Sequence, residues 1–245
     1  MTTATLPLPP SLGLLGIEPW RAWFEYAGMH LMDRSRLPLG DGHPVVLFPG
    51  LATDRRAVAP LRDLCRSLGY VVYDWELGFN TGPHGGIDEW LGGLARHVES
   101  VAATHDRRAS LVGWSLGGIY AREIAKLVPA CVRQVVTLGT PFAGSGQDTN
   151  VGWLYTALNG QAPVLDAALS QRLRTTPDVP TTSIYSRSDG VVAWQACVLR
   201  RTARAENVEV DGSHMGLPWN PKVMAVVADR LSQPEGAWRR HVPTD

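Results

Sequence analysis

Near the middle of the chain, Gly113-Trp114-Ser115-Leu116-Gly117 sets a serine between two glycines in the pattern G-x-S-x-G. An apolar run over 110–114 leads into it and an amphipathic stretch leads out, so the serine falls on a strand-to-helix turn. Such a turn lifts the hydroxyl above the carboxyl ends of the strands. Small flanking residues are required, because larger ones would collide with the neighbouring strand and helix. A serine hydroxyl is a poor nucleophile at neutral pH and needs a positioned base. The chemistry indicated is attack on a carbonyl and transfer of its acyl group.

The partners of a serine on this kind of turn follow in the chain order serine, acid, histidine. Of the seven histidines (30, 43, 84, 97, 105, 214 and 241), only His214 and His241 lie far enough along. His241 sits in the polar tail RRHVPTD, where a solvated histidine is expected, whereas His214 sits in a small-residue loop between a strand and the last helix. His214 is therefore the candidate base. The acid must lie between Ser115 and His214 at a strand end, and Asp189 in YSRSDG fits that place. A carboxylate there would fix the imidazole tautomer and stabilise its charged form. Asp148, Asp166, Asp178 and Asp211 are the competing carboxylates. Acyl transfer also needs two backbone N–H donors for the developing oxyanion. Leu116, directly after the serine, supplies one, and Leu51 in the loop Phe48-Pro49-Gly50-Leu51-Ala52 is the choice for the other.

The elements that must hold these groups alternate. Strands are expected at about 45–48, 70–75, 110–114, 132–138, 182–186 and 207–210. Helices are expected from Asp54, as a cap, to about 68, then at 87–104, 116–128 and 221–232, with a short one at 191–197. That alternation implies right-handed crossovers and a mostly parallel sheet flanked by helices on both faces. Residues 1–16 read as an irregular arm. From 18 to about 34, Trp20, Trp23, Phe24, Ala27, Leu31 and Met32 recur at helical offsets, which predicts a helix whose apolar face packs on the core. Residues 144–180 loosen into short helical stretches such as 164–174, the natural place for a small cap inserted in a single 1–245 domain.

Composition closes off several classes. Lys+Arg and Asp+Glu both number 23, so nothing marks a nucleic-acid surface. Cys65, Cys131 and Cys197 are too few and too scattered for a disulfide framework. No run of about 18 apolar residues suggests a membrane span, and the N-terminus lacks the charged region of a secretory signal, so a cytoplasmic location is expected. No HExxH, paired CxxC or EF-hand loop calls for a metal, and no GxGxxG or GxxxxGK[ST] element calls for a nucleotide, so no cofactor is expected.

The stretches LFPGLATD, GWSLGG, TLGTPFAGSG, YSRSDGVV and GSHMGL, spread over about 44–231, resemble in content and order the lipase and esterase branch of the α/β-hydrolase superfamily. The Leu-Gly-Thr-Pro stretch at 138–141 is similar to bacterial triacylglycerol lipases and GPI-inositol-deacylase-like hydrolases, although Phe142 stands where a histidine often follows in those relatives. The resemblance implies an α/β-hydrolase fold of about six strands, because only a helix and loop precede residue 45. It implies a small-molecule, lipid or polyester ester as substrate. Ser115 separates the chain from the haloalkane dehalogenases and epoxide hydrolases, which carry aspartate there, and from the dienelactone hydrolases, which carry cysteine. Trp114, Phe142, Trp153, Leu154 and Met215 are candidates for the substrate pocket, against the alternative that most aromatic residues here are packing. The reading is a serine esterase. Its rivals are an acyltransferase or thioesterase using the same residues and a non-catalytic binding protein on the same fold.

Overall fold

Aliphatic runs bounded by Gly, Pro and Asp become the strands. The computed structural model describes residues 10–143 and 167–242. In chain order the strands are β1 Pro44–Phe48, β2 Val71–Asp74, β3 Ala109–Trp114, β4 Val132–Leu138, β5 Thr181–Tyr185 and β6 Ala205–Glu209. The helices are α1 Leu12–His30, α2 Ala59–Ser67, α3 Ile87–His105, α4 Leu116–Leu127, α5 Ala167–Arg174 and α6 Pro221–Ser232. All six strands run parallel in the order β2-β1-β3-β4-β5-β6.

Parallel strands covered on both faces need apolar side chains on both. Val45, Leu47, Val112, Trp114, Val136 and Leu138 turn to one side, where they meet Leu61 and Leu64 of α2, Met224 and Val227 of α6 and Met29 of α1. Their neighbours Val46, Phe48, Leu111 and Val135 turn to the other, against Leu91, Leu94 and Val98 of α3 and Ile119 and Ile124 of α4. The register pairs Phe48 with Gly113, Trp114 with Leu138 and Leu138 with Ile184, so the strands end together at one rim. The order of connections reverses between β1 and β3. Loops leaving those two strands diverge there and open the crevice in which such sheets place their ligands.

Four expectations change. The N-terminal arm is helical from Leu12, capped by the Ser11 hydroxyl accepting from the Leu14 N–H at 3.3 Å. Helix α1 also faces the opposite way from its hydrophobic pattern: Glu18, Ala22 and Met29 are buried, while Trp20, Trp23, Phe24 and Leu31 are 69%, 60%, 64% and 87% exposed. The inward carboxylates are satisfied by backbone N–H groups of loops distant in sequence, which periodicity cannot register. Asp54 does not cap α2. It folds back on the Arg56 N–H at 2.7 Å, and the helix begins at Ala59 with a proline in its first turn. The stretch at 191–197 keeps only a 3₁₀ turn, Trp194–Cys197.

The foot of β1 is fixed by polar groups gathered around buried His43. His43 pairs through Nδ1 with Asp41 and through Nε2 with the Ser110 hydroxyl at 2.7 Å, and Asp41 also binds Arg107 and Arg133. Burial, helped by the two arginines and opposed by Asp41, lowers the His43 pKa from 6.5 to about 4. The unfolded chain therefore binds a proton that the folded chain refuses between those values, and stability falls as pH drops through that window. His43→Gln is expected to lose less of its urea midpoint between pH 7 and pH 5 than the wild type; an equal loss would remove His43 as the cause.

Candidate active site

Ser115 lies between β3 and α4 with φ 54° and ψ −122°, a conformation that costs a side-chain-bearing residue about 1–3 kcal/mol. The chain is clamped there by the Ser115 N–H donating to the Leu138 carbonyl at 2.8 Å and the Gly118 N–H donating to the Ser115 carbonyl at 3.0 Å. The glycines are steric necessities. A Cβ on Gly113 would stand 2.4 Å from the Gly117 carbonyl oxygen, and one on Gly117 would stand 2.3 Å from the Phe48 carbonyl oxygen. Strand, turn and helix touch backbone to backbone.

The loop after β6 brings His214 to this turn from 99 residues away, with its Nε2 3.0 Å from the Ser115 Oγ. The loop after β5 brings Asp189, whose Oδ2 lies 2.7 Å from His214 Nδ1. The other oxygen, Oδ1, accepts the N–H groups of Val191 at 2.8 Å and Val192 at 2.7 Å, so the carboxylate is held at both ends. Asp189 and His214 are 3% exposed and Ser115 is 9% exposed. With the carboxylate facing Nδ1, the bonding pattern assigns the imidazole proton to that nitrogen and leaves Nε2 to accept from the serine hydroxyl. Burial disfavours the charged imidazole. The charge and hydrogen bond of Asp189, joined by the charge of Glu18, outweigh it, so His214 titrates above the ordinary 6.5. The Trp114 indole N–H donates to the His214 carbonyl at 3.0 Å, tying the base loop to β3.

Of the competing carboxylates, Asp178 is exposed and Asp211 is bound to Arg21 and Ser188 at the surface, while Asp148 and Asp166 lie outside the described residues. His241 is not a free tail residue: its Nδ1 lies 2.6 Å from Asp229 and its N–H donates to Glu206.

The loop after β1 runs against the serine, since a Cβ on Gly50 would stand 3.3 Å from the Ser115 Cβ. Buried Asn80, in the loop after β2, organises it. Its side-chain N–H donates to the Pro49 carbonyl at 2.9 Å, its own N–H to the Thr53 carbonyl at 2.7 Å, and its carbonyl accepts the Ala52 N–H at 2.7 Å. Tyr120 and the Gly82 N–H satisfy its side-chain oxygen. Among the described residues, neither the Leu51 nor the Leu116 N–H donates to a protein acceptor.

The expected pocket residues separate. Trp114 is a buried partner of His214, its ring 5.9 Å away, and Met215 is 42% exposed beside the base. The expectation for Phe142 is corrected. Its ring lies in the core, 2% exposed, beneath the Arg122 guanidinium, 3.8 Å from centroid to carbon. Trp153 and Leu154, with most of the expected cap, lie outside the described residues, and within 144–180 the described helix is α5. An apolar recess of about 300 Å³ lined by Pro19, Trp20, Trp23 and Phe24 does not include the serine, acid or histidine. Among the described residues no His, Cys, Asp and Glu side chains gather as metal ligands. Sequence reasoning passed over Glu18 and Glu25 of α1, which bond the Asp189 and His214 loops. Their only signal was the 18-22-25-29 spacing, shared with buried Ala22 and Met29.

Residues 45–243 match the family described as Alpha/beta hydrolase family. The chain belongs to that family. Among curated relatives, a triacylglycerol lipase of Pseudarthrobacter phenanthrenivorans is 36% identical over 113 residues, covering 42% of this chain and 34% of that protein. The polyketide synthase ThaQ of Burkholderia thailandensis is 30% identical over 233 residues, 81% of this chain and 11% of that protein. The match to the curated lipase thus spans about a third of that relative's length. Among solved structures, Aspergillus fumigatus lipase B superposes with a TM-score of 0.62 at 20% identity, covering 83% of this chain and 56% of the other, which shows the shared hydrolase fold. Among the described residues, no helix is long and apolar enough to cross a membrane.

The backbone contacts at the turn are testable without a substrate. Gly117→Ala is expected to lower unfolding free energy by at least about 2 kcal/mol, because its Cβ would meet backbone that cannot retreat. Gly93→Ala, on the exposed side of α3, is expected to raise it by about 0.5–1 kcal/mol. Urea titration of the two variants checks both signs.

Proposed function

We propose that this hydrolase cleaves carboxylic esters through an acyl-enzyme on Ser115. The observation that carries the reading is the unbroken chain of contacts from Ser115 Oγ to His214 Nε2 at 3.0 Å and from His214 Nδ1 to Asp189 at 2.7 Å. His214 takes the hydroxyl proton as Oγ attacks the ester carbonyl. Asp189 holds the imidazole in the required tautomer and stabilises the imidazolium that forms. The Leu51 and Leu116 amides receive the oxyanion, a role consistent with their lack of protein acceptors among the described residues. The imidazolium then gives its proton to the departing alcohol, and water activated by His214 releases the acid. Similarity to a triacylglycerol lipase supports lipid or other apolar acyl esters as the substrate class.

A second reading uses the same residues with a thioester as acyl donor, or with an alcohol or thiol in place of water as acceptor. The 233-residue similarity to a polyketide synthase favours keeping it. Competing nucleophiles separate the two: hydrolysis yields the free acid alone, and transfer yields a new ester or thioester.

Ser115→Ala is expected to lower kcat for p-nitrophenyl acyl esters by about 10⁴-fold or more at unchanged stability. Retained turnover would falsify the acyl-enzyme. Because His214 must be neutral to accept the proton and its pKa is raised, kcat/KM is expected to fall on the acid side with an apparent pKa above 6.5. Asp189→Asn should remove the support for the charged imidazole, and kcat should drop by about 10⁴-fold. A pH profile with its acid limb below 6.5 in the wild type would contradict the raised pKa of His214.

A further inference from the structure

Helix α1 precedes the residues matched to the family, yet its inner face reaches both loops that carry the acid and the base. Glu18 is 1% exposed. Its Oε1 accepts the Gly190 N–H at 2.7 Å and the His214 N–H at 3.0 Å, and its Oε2 accepts the Met215 N–H at 3.0 Å. One turn on, Arg21 donates to the Ser188 carbonyl and hydroxyl and pairs with Asp211. A further turn on, Glu25 accepts the Ser213 N–H and hydroxyl, both at 2.7 Å. The approach is so close that a Cβ on Gly190 would stand 2.6 Å from the Leu14 backbone, and one on Gly216 would meet the Glu25 carboxylate.

Packing alone does not call for this arrangement. The helix offers Trp20, Trp23 and Phe24 on its other face, and burying those rings instead would gain more apolar area. A buried carboxylate is costly unless its oxygens are fully engaged, and replacing such groups with apolar ones is often neutral or stabilising. What the carboxylate of Glu18 does here is join residues 190, 214 and 215, which flank Asp189 and include the base itself.

We propose that Glu18 is a positioning residue for the acid–base pair, its carboxylate gripping the amides of Gly190, His214 and Met215 so that Asp189 and His214 are held at hydrogen-bonding distance. This deepens, and rests on, the hydrolase reading above. The charge of Glu18 also favours the imidazolium. Among the described residues, the groups around His214 are Asp189 from the loop after β5, Ser115 at the β3–α4 turn and Glu18 from α1; Arg21 and Glu25 lie along the same helix, and Asp211 lies in the base loop, paired with Arg21.

The test is Glu18→Gln, which keeps the shape, loses the charge and turns an N–H₂ toward an N–H donor. In folded protein kcat is expected to fall about tenfold or more with KM little changed, and the acid limb of kcat/KM to move to lower pH. Proton NMR of the His214 Nδ1–H, titrated without substrate, should show the same move. A folded Glu18→Gln with wild-type kcat and wild-type titration overturns the proposal, as does a variant that loses only melting temperature. Should Glu18→Gln not fold, Glu18→Asp keeps the charge but shortens the reach: a lowered kcat with the wild-type acid limb supports the proposal, and a wild-type kcat overturns it. Ser115→Ala run beside them separates the two readings. If it still turns over, the hydrolase reading has failed; if it is inactive while Glu18→Gln is wild-type, only the role of Glu18 has.

Discussion

An imidazole that must face a serine on one edge and a carboxylate on the other can do so only if three loops arrive together within about 3 Å. The sheet is arranged so that they do. Parallel strands end at one rim, Trp114 beside Leu138 and Leu138 beside Ile184, so the exits of β3, β5 and β6 deliver Ser115, Asp189 and His214 to the same side. Each loop is then fixed by bonds to its neighbours: Ser115 to Leu138, Asp189 to its own Val191 and Val192 amides, and the His214 carbonyl to Trp114. The cost of the Ser115 backbone conformation is met by this surrounding lattice, since the turn is closed by contacts on both sides.

Much of this was legible in the residues because it is local. The serine turn declares itself through glycines at 113 and 117, and each of those glycines has a backbone atom within 2.4 Å of where a side chain would begin. Strand positions followed from aliphatic runs whose alternate residues serve two cores, and their order in the chain was enough to expect a parallel sheet. Asp189 and His214 were singled out by chain order and strand ends, and the fold brings those two side chains and Ser115 into contact.

What was not legible depends on partners far away in sequence. The stripe Trp20, Trp23, Phe24 and Leu31 reads as the buried face of α1, and it lies in solvent because Glu18 and Glu25 accept from backbone amides some 170 to 200 residues along the chain. Phe142 reads as a pocket residue by its place after a strand end, but a buried arginine from α4 covers it. Asp54 reads as a helix cap, and a two-residue turn claims its side chain first. For α1 and Asp54 a nonlocal or competing hydrogen bond decided against the local pattern, and for Phe142 a stacked guanidinium did. Membership of the hydrolase family fixes the scaffold, and a scaffold of this kind does not by itself fix the substrate.

The central claim is that Ser115, activated by His214, carries the acyl group. Mass spectrometry of the protein after reaction with a fluorophosphonate tests it most directly. The account predicts one adduct, located to the peptide containing Ser115 and formed far more slowly in folded His214→Ala. An unmodified Ser115 in folded wild-type protein, or an adduct rate unchanged by loss of His214, would contradict it.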